Sequence, residues 1–232
     1  MKDLSERSKE KEIMDDLNAP EKELWQNLRE LEVVNNLLGG YKLILNALKK
    51  IELTGSTSII DIGSGGGDTL RAIANWTKSH NLNFKLTGVD LNPVMTRYAA
   101  TNSQEYPEIN YRTNNIFDPA LDNEKADIVM CSLFCHHFTH NDLVRLLKRM
   151  IDISSEYVII NDLHRHWFAY YSIKWLTRIF SKTYIVKHDA PLSVARAFVR
   201  ADWDQIMRDA DIKHYSIKWC WAFRWQVIIK KR

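Results

Sequence analysis

What the chain lacks narrows its function before any motif is read. No apolar run approaches the roughly 20 residues of a membrane span, and the polar N-terminus has no signal-peptide pattern, so a cytoplasmic location is expected. Three cysteines in 232 residues make no disulfide framework. Cys131 and Cys220 read as small buried hydrophobes, and Cys135 as an accessible residue at a strand end. With no second Cys/His cluster in the chain, no metal is expected. Strong charge is missing as well: a net charge of +3 is too mild to call for nucleic acid. Two chemistry-bearing signatures are also absent. No Gly-Lys-Ser/Thr follows the glycine-rich stretch, which excludes a P-loop, and no Gly-x-Ser-x-Gly supplies the nucleophile elbow of a serine hydrolase.

What is present concentrates in one region. Ile59-Ile60-Asp61-Ile62 reads as a short apolar strand running into Gly63-Ser64-Gly65-Gly66-Gly67-Asp68, with a helix over Thr69 to Lys78 beyond it. Leu86-Thr87-Gly88-Val89-Asp90 then reads as a strand ending in a carboxylate. Glycines let the backbone turn tightly and approach a ligand, and an acid at the end of the next strand can accept hydrogen bonds from ribose hydroxyls. A dinucleotide fingerprint would place Gly or Ala three residues after Gly65, where Asp68 stands. A carboxylate at a helix N-terminus repels pyrophosphate. The expected ligand is a nucleoside without phosphate.

On these residues the chain resembles the class I S-adenosylmethionine-dependent methyltransferases, from about Glu30 to the end. Ile59 to Asp68 matches the apolar strand and D-x-G-x-G-x-G of their first motif, and Asp90 matches the acid that takes the ribose. Thr113-Asn114-Asn115-Ile116-Phe117 matches the adenine-lining motif, with Asn115 where an acid is usual; Asp127 through Phe138 matches the fourth strand and its double-histidine ending. The resemblance implies an α/β, Rossmann-like, doubly wound fold: a mostly parallel seven-stranded sheet with an N-terminal helical lid and a helical insertion after strand 5. It also implies S-adenosylmethionine as cofactor. Asp61, Gly63, Ser64 and Gly65 would hold its methionine portion, Asp90 and Leu91 the ribose, Asn115 and Ile116 the adenine, and Ser132 would stand at the end of strand 4.

Periodicity organises the rest. Residues 1–16 are charged and read as frayed. A helix opens with Asn18 as cap and Pro20 in its first turn, and carries Leu24, Leu28, Leu31, Val34 and Leu38 on one face until Gly39-Gly40 stops it. A second helix follows from Tyr41 to about Lys50. The resemblance implies that residues 1–50 are a tail and helical lid and 51–232 the methyltransferase domain, with a substrate-side insertion at about 163–200. Asn35 to Gly40 resembles the lid segment of the family's small-molecule branch. Strands over 59–62, 84–90, 109–112, 126–134 and 156–162 alternate with helices over 69–78, 93–104 and 141–151, and the aromatic segment from Ile212 to Lys231 suits a closing antiparallel pair.

The insertion sets seven basic residues against one acid, Asp189, among interleaved aromatics, while the rest of the chain is net negative. An apolar pocket rimmed by solvated Lys and Arg is the favoured reading, and peripheral membrane contact the second. Leu163-His164-Arg165-His166 and His188 to Arg196 resemble a subgroup found with lipid-like phenolic or polyketide pathways. Histidine titrates in the range a general base needs. His137 and His164 are the expected catalytic pair, with His136, His140, Arg165, His166 and Tyr41 around the acceptor. The expected activity is methyl transfer from S-adenosylmethionine to oxygen or carbon of a small, partly apolar acceptor. An RNA or protein methyltransferase is the alternative, disfavoured because Ser132-Leu133-Phe134-Cys135 stands where amino-group methylases carry Asn-Pro-Pro-aromatic. A non-catalytic scaffold is the other, disfavoured because Asp61, the glycine loop and Asp90 are intact.

Overall fold

The computed structural model describes residues 2–51 and 56–231. Its strands are β1 (Ser56–Ile62), β2 (Asn83–Asp90), β3 (Ile109–Thr113), β4 (Ala126–Ser132), β5 (Ser154–Leu163), β6 (Tyr215–Cys220) and β7 (Arg224–Lys230). They form one sheet in the order β3-β2-β1-β4-β5-β7-β6. The first five pair in parallel, and β7 runs antiparallel to both β5 and β6. The helices are α1 (Glu21–Leu37), α2 (Gly40–Leu48), α3 (Asp68–Ser79), α4 (Pro93–Asn102), α5 (His140–Ile153), α6 (Trp167–Phe180), α7 (Tyr184–Arg196) and α8 (Arg200–Asp209).

Alternate strand residues point to opposite faces, so two cores follow from one apolar run. Ile59, Ile128, Met130 and Ile159 pack with Ile44 and Leu48 of α2 and with Leu70 and Ile73 of α3. Ile60, Val129, Cys131, Val158 and Ile160 pack with Leu143 and Leu147 of α5 and with Trp203 and Met207 of α8. The strand order turns back between β1 and β4, which opens a crevice at their C-terminal ends.

Three details depart from the sequence reading. α1 begins at Glu21 with Pro20 as its N-cap residue, because Asn18 is already turned onto Asp16, to which its N–H and side-chain amide both donate. Cys135 is fully buried while Cys220 is partly exposed, the reverse of expectation, because β6 is an edge strand and the turn after β4 tucks under α5. The closing antiparallel pair expected over Ile212 to Lys231 is present as β6 and β7: Trp219 and Trp225 pair across the hairpin, and Trp221 to Phe223 make its turn.

The largest departure is at the N-terminus, where residues 2–16 are docked rather than frayed. Arg7 donates to the carbonyls of Arg196 and Phe138 at 2.7 and 2.9 Å, and Glu12 is 3% exposed. Ile13–Asp15 form a single helical turn whose N–H groups at Ile13 and Met14 donate to the Asp189 carboxylate at 2.9 and 3.0 Å. The charges that suggest solvation in the sequence meet buried partners on α7 and after β4.

Candidate active site

The site is built where β1, β2 and β4 end. Gly63 has φ of 69°, and a Cβ there would lie 2.1 Å from the Phe134 ring, so the turn after β1 admits glycine alone. The turn aims the Gly65 N–H at Asp90 Oδ2 (2.9 Å), while Asn92 N–H donates to Asp90 Oδ1 (2.9 Å). Each carboxylate oxygen keeps a lone pair for a further donor. Burial raises the Asp90 pKa above its ordinary value, against the two backbone donors. A cavity of about 360 Å³ opens over these residues, lined by Gly63, Gly65, Asp90, Leu91, Asn115 and Ile116 and closed by Phe134 and His137. Asn115 Oδ1 accepts from Phe117 N–H at 2.9 Å, so its amide nitrogen is the group left to face an adenine edge.

A smaller cavity of about 110 Å³ adjoins it, lined by Asp61, Ser64, Asp68, Asn35 and Ser132. Asp61 is 2% exposed, and its Oδ1 and the Ser64 hydroxyl have no partner. Burial first, then Asp68 and Asp90, push the Asp61 pKa well above its ordinary value. Asp68 is held by the Tyr41 hydroxyl (2.7 Å) and the Asn35 amide (3.1 Å), each donating to Oδ2. Ser132 Oγ accepts from Asn161 Nδ2 at 2.8 Å. Orphaned acceptors inside a nest of carboxylates fit a ligand's ammonium group. The Asp90 carboxylate, with a lone pair free on each oxygen, lines the adjoining cavity, so the paired cavities have the polar groups to fit a nucleoside carrying an amino acid, such as S-adenosylmethionine.

A third cavity, of about 340 Å³, lies between α1, α6 and α7, with Leu31, Val34, Phe168 and Ile173 among its apolar walls; its polar groups include Asn27, His137 and Arg224, together with Glu12 and Asp189, which are already engaged by His136 and by the Ile13 and Met14 N–H groups. Met14 and Leu133 line all three cavities, and His137 lines the two larger ones. That junction is where two ligands would touch.

The two neighbouring histidines take different places. His136 is 3% exposed, with Nδ1 2.8 Å from Asp162 Oδ1 and Nε2 3.5 Å from Glu12 Oε1. Burial alone would depress its pKa, but Asp162 and Glu12 outweigh burial and hold it up at about 10. It is an imidazolium at neutral pH and cannot take a proton. His137 Nδ1 stands 2.7 Å from Asp15 Oδ1, at ion-pair distance without hydrogen-bond alignment, and its Nε2 is 4.0 Å from Glu12 Oε2. The donor atoms of Glu12, His136 and His137 lie within 4.8 Å of one another, a spacing three metal ligands could share. With His136 held as a cation between two carboxylates, the cluster reads as a salt network instead.

The remaining expected residues do not line any of the three cavities. His140 is exposed and paired with Asp209 at 2.7 Å. His164 Nδ1 accepts from Trp219 Nε1 (3.1 Å), its ring stacks on Phe223, and burial, then His166 and Arg165, lower its pKa. His166 caps α6, accepting from Phe168 N–H. Arg165 is turned inward, donating to the carbonyls of Leu4 and Ala197 and to Asp202; the fold uses it to tie the N-terminus down, not to grip an acceptor. Tyr41 acts through Asp68. Sequence reasoning missed Glu12, Met14, Asn27 and Arg224, and only the lone arginine in the aromatic tail offered a signal.

Comparison with known proteins bears on this geometry. Residues 59–155 match a family model described as a methyltransferase domain. Among curated proteins, none matches. Among solved structures, the magnesium protoporphyrin IX methyltransferase of Synechocystis PCC 6803, with bound S-adenosylmethionine, superposes with a TM-score of 0.61 at 13% identity, covering 94% of this chain and 95% of that one. The plantazolicin methyltransferase in complex with S-adenosylhomocysteine gives 0.64 at 18% identity over 95% and 99%. Human N-acetylserotonin methyltransferase gives 0.65 at 15% identity over 91% of this chain, which spans only 56% of the human one. Identities this low speak for the fold. Taken together, residues 59–155 match a methyltransferase domain, and the chain shares its fold with methyltransferases of known structure.

Proposed function

We propose that the protein transfers a methyl group from S-adenosylmethionine to oxygen or carbon of a small, partly apolar acceptor of phenolic, lipid-like or polyketide character. The observation that carries this reading is the meeting of three cavities at Met14 and Leu133: two with the polar groups for an aminoacyl nucleoside, one walled by aliphatic and aromatic side chains. Its narrow apolar walls suit a metabolite better than an RNA strand or a protein.

When bound, S-adenosylmethionine supplies a methyl already activated on a sulfonium, so alignment and water exclusion provide much of the acceleration. Asp90 holds ribose hydroxyls, Asn115 the adenine edge, and Asp61 with Ser64 the amino group. Met14, Leu31 and Leu133 keep the junction dry. His137 takes the proton from an acceptor hydroxyl, and Glu12 and Asp15 stabilise the imidazolium formed.

Contact with a lipid surface belongs to the same reading. No described helix is long and apolar enough to cross a membrane, yet Trp167, Trp175, Ile179 and Phe180 of α6 are exposed beside Lys174 and Arg178. Exposed aromatics with basic neighbours suit a helix lying on an anionic surface. Co-sedimentation with phosphatidylglycerol vesicles but not phosphatidylcholine vesicles is expected; equal recovery in the absence of vesicles would contradict it.

The test of the activity is formation of S-adenosylhomocysteine from S-adenosylmethionine with long-chain alkylphenols, against RNA and protein extracts as controls. Turnover with the phenols supports the proposal. Turnover with RNA or protein alone contradicts it.

A further inference from the structure

Arg224 stands at the head of β7, opposite Leu163 of β5 and Cys220 of β6. It is 2% exposed. Its Nε and Nη1 have no hydrogen-bond partner, and among the described residues it belongs to no ion pair. Burial lowers its pKa from 12.5 to about 10, with Asp162, Asp68 and Tyr41 offsetting only part of the loss, so it remains a cation at neutral pH. A buried charge without a partner is among the costliest features a fold can retain. Two observations show where its partner would sit. The guanidinium lines the apolar cavity, and Asn27, 1% exposed with both amide atoms unpartnered, lines the same cavity. The Asn35 side chain covers the start of α2 beside the guanidinium: a Cβ built on Gly40 would lie 1.8 Å from Asn35 Oδ1 and 3.1 Å from Arg224 Nη1, and neither atom has a hydrogen-bond partner.

We propose that Arg224 and Asn27 seat an oxyanion, a carboxylate or phenolate, on a ligand whose apolar body lies along Leu31, Val34, Phe168 and Ile173. The proposal rests on the methyltransferase reading and narrows its acceptor to an amphiphilic acid. The planar guanidinium fork matches a carboxylate, and apolar walls strengthen that pairing. The cofactor's own carboxylate is the rival source of the same chemistry. It is disfavoured because Arg224 is not among the walls of the cavity fitted to the cofactor's amino-acid portion.

The experiment is calorimetric titration of the full chain, saturated with S-adenosylhomocysteine, with dodecanoate and with dodecanol of matched length. The acid is expected to bind at least about tenfold tighter than the alcohol. Arg224→Gln should erase that preference and Arg224→Lys keep part of it, with affinity for S-adenosylhomocysteine within about twofold of the unsubstituted protein. No preference for the acid, whether both probes bind or neither does, overturns the proposal. So does an Arg224→Gln variant that keeps the preference but loses S-adenosylhomocysteine, which would hand the arginine to the cofactor. If Arg224→Gln does not fold, the acid-to-alcohol ratio of the unsubstituted protein and of Arg224→Lys decides. Failure of the unsubstituted protein to bind S-adenosylhomocysteine would instead sink the methyltransferase reading, a separate outcome.

Discussion

Glu12 Oε1 lies 3.5 Å from His136 Nε2, and both side chains are buried. Asp162 holds the other ring nitrogen at 2.8 Å, so one imidazolium joins the N-terminal segment to the ends of β4 and β5. Arg196 reinforces the joint, donating to the carbonyls of His136 and His137 at 3.2 and 2.8 Å. The segment that looks most dispensable in the sequence therefore closes the cavity junction and positions His137.

That joint makes stability depend on pH in a defined direction. His136 has a folded pKa of about 10, above its ordinary 6.5, so its contribution is complete below about pH 6.5 and disappears as pH rises through about 10. Glu12 and Asp162 are held below their ordinary values by His136, against burial, so theirs is present above the usual carboxylate range and lost as pH falls through it. Thermal unfolding should show a plateau between the usual carboxylate range and about pH 6.5, and a decline from there toward about pH 10. His136→Gln should lower Tm at pH 7 and flatten that decline; an unchanged alkaline limb would break the assignment.

His137→Gln should reduce kcat on a hydroxyl acceptor by about 10² to 10⁴, with S-adenosylhomocysteine affinity nearly unchanged. His164→Gln should leave kcat within about threefold, since that ring faces Trp219 and Phe223. Reversed effects in the two variants, measured by steady-state kinetics, would move the base to β5.

Asp61 carries a raised pKa in the free protein because of burial, Asp68 and Asp90. An ammonium beside its orphaned Oδ1 lowers that pKa, so ligand binding should expel a proton. Calorimetry in buffers of different ionisation enthalpy, repeated across pH, should show proton release on binding that Asp61→Asn abolishes. A release unaffected by the substitution would place the proton elsewhere.

Asp90→Ala should weaken S-adenosylhomocysteine by about 1–3 kcal/mol, through loss of charge-assisted hydrogen bonds to the ribose. The Gly65 and Asn92 N–H groups would also lose their acceptor, so a melting curve should accompany the titration.

Legibility tracked distance along the chain. Asp61, Asp90 and Asn115 stand at or just past the C-terminal ends of β1, β2 and β3, so local pattern and strand-end logic bring them to one crevice. Arg165 and Arg224 were not separable that way, since both are arginines among aromatics and only the antiparallel return of β7 sends one into the apolar cavity while Asp202 claims the other. Nor does adjacency tell which of His136 and His137 turns inward: Asp162 from β5 and Glu12 from the N-terminus decide it, and neither is near in sequence. Residues 7–15 look solvated in the sequence for the same reason, their partners lying on α7 and after β4.

The most direct measurement is titration of the purified protein with S-adenosylhomocysteine, with NAD and ATP alongside. Micromolar affinity for S-adenosylhomocysteine alone is the predicted result. Absence of binding, or equal binding of NAD, would contradict the account of the three cavities as a methyl-transfer site.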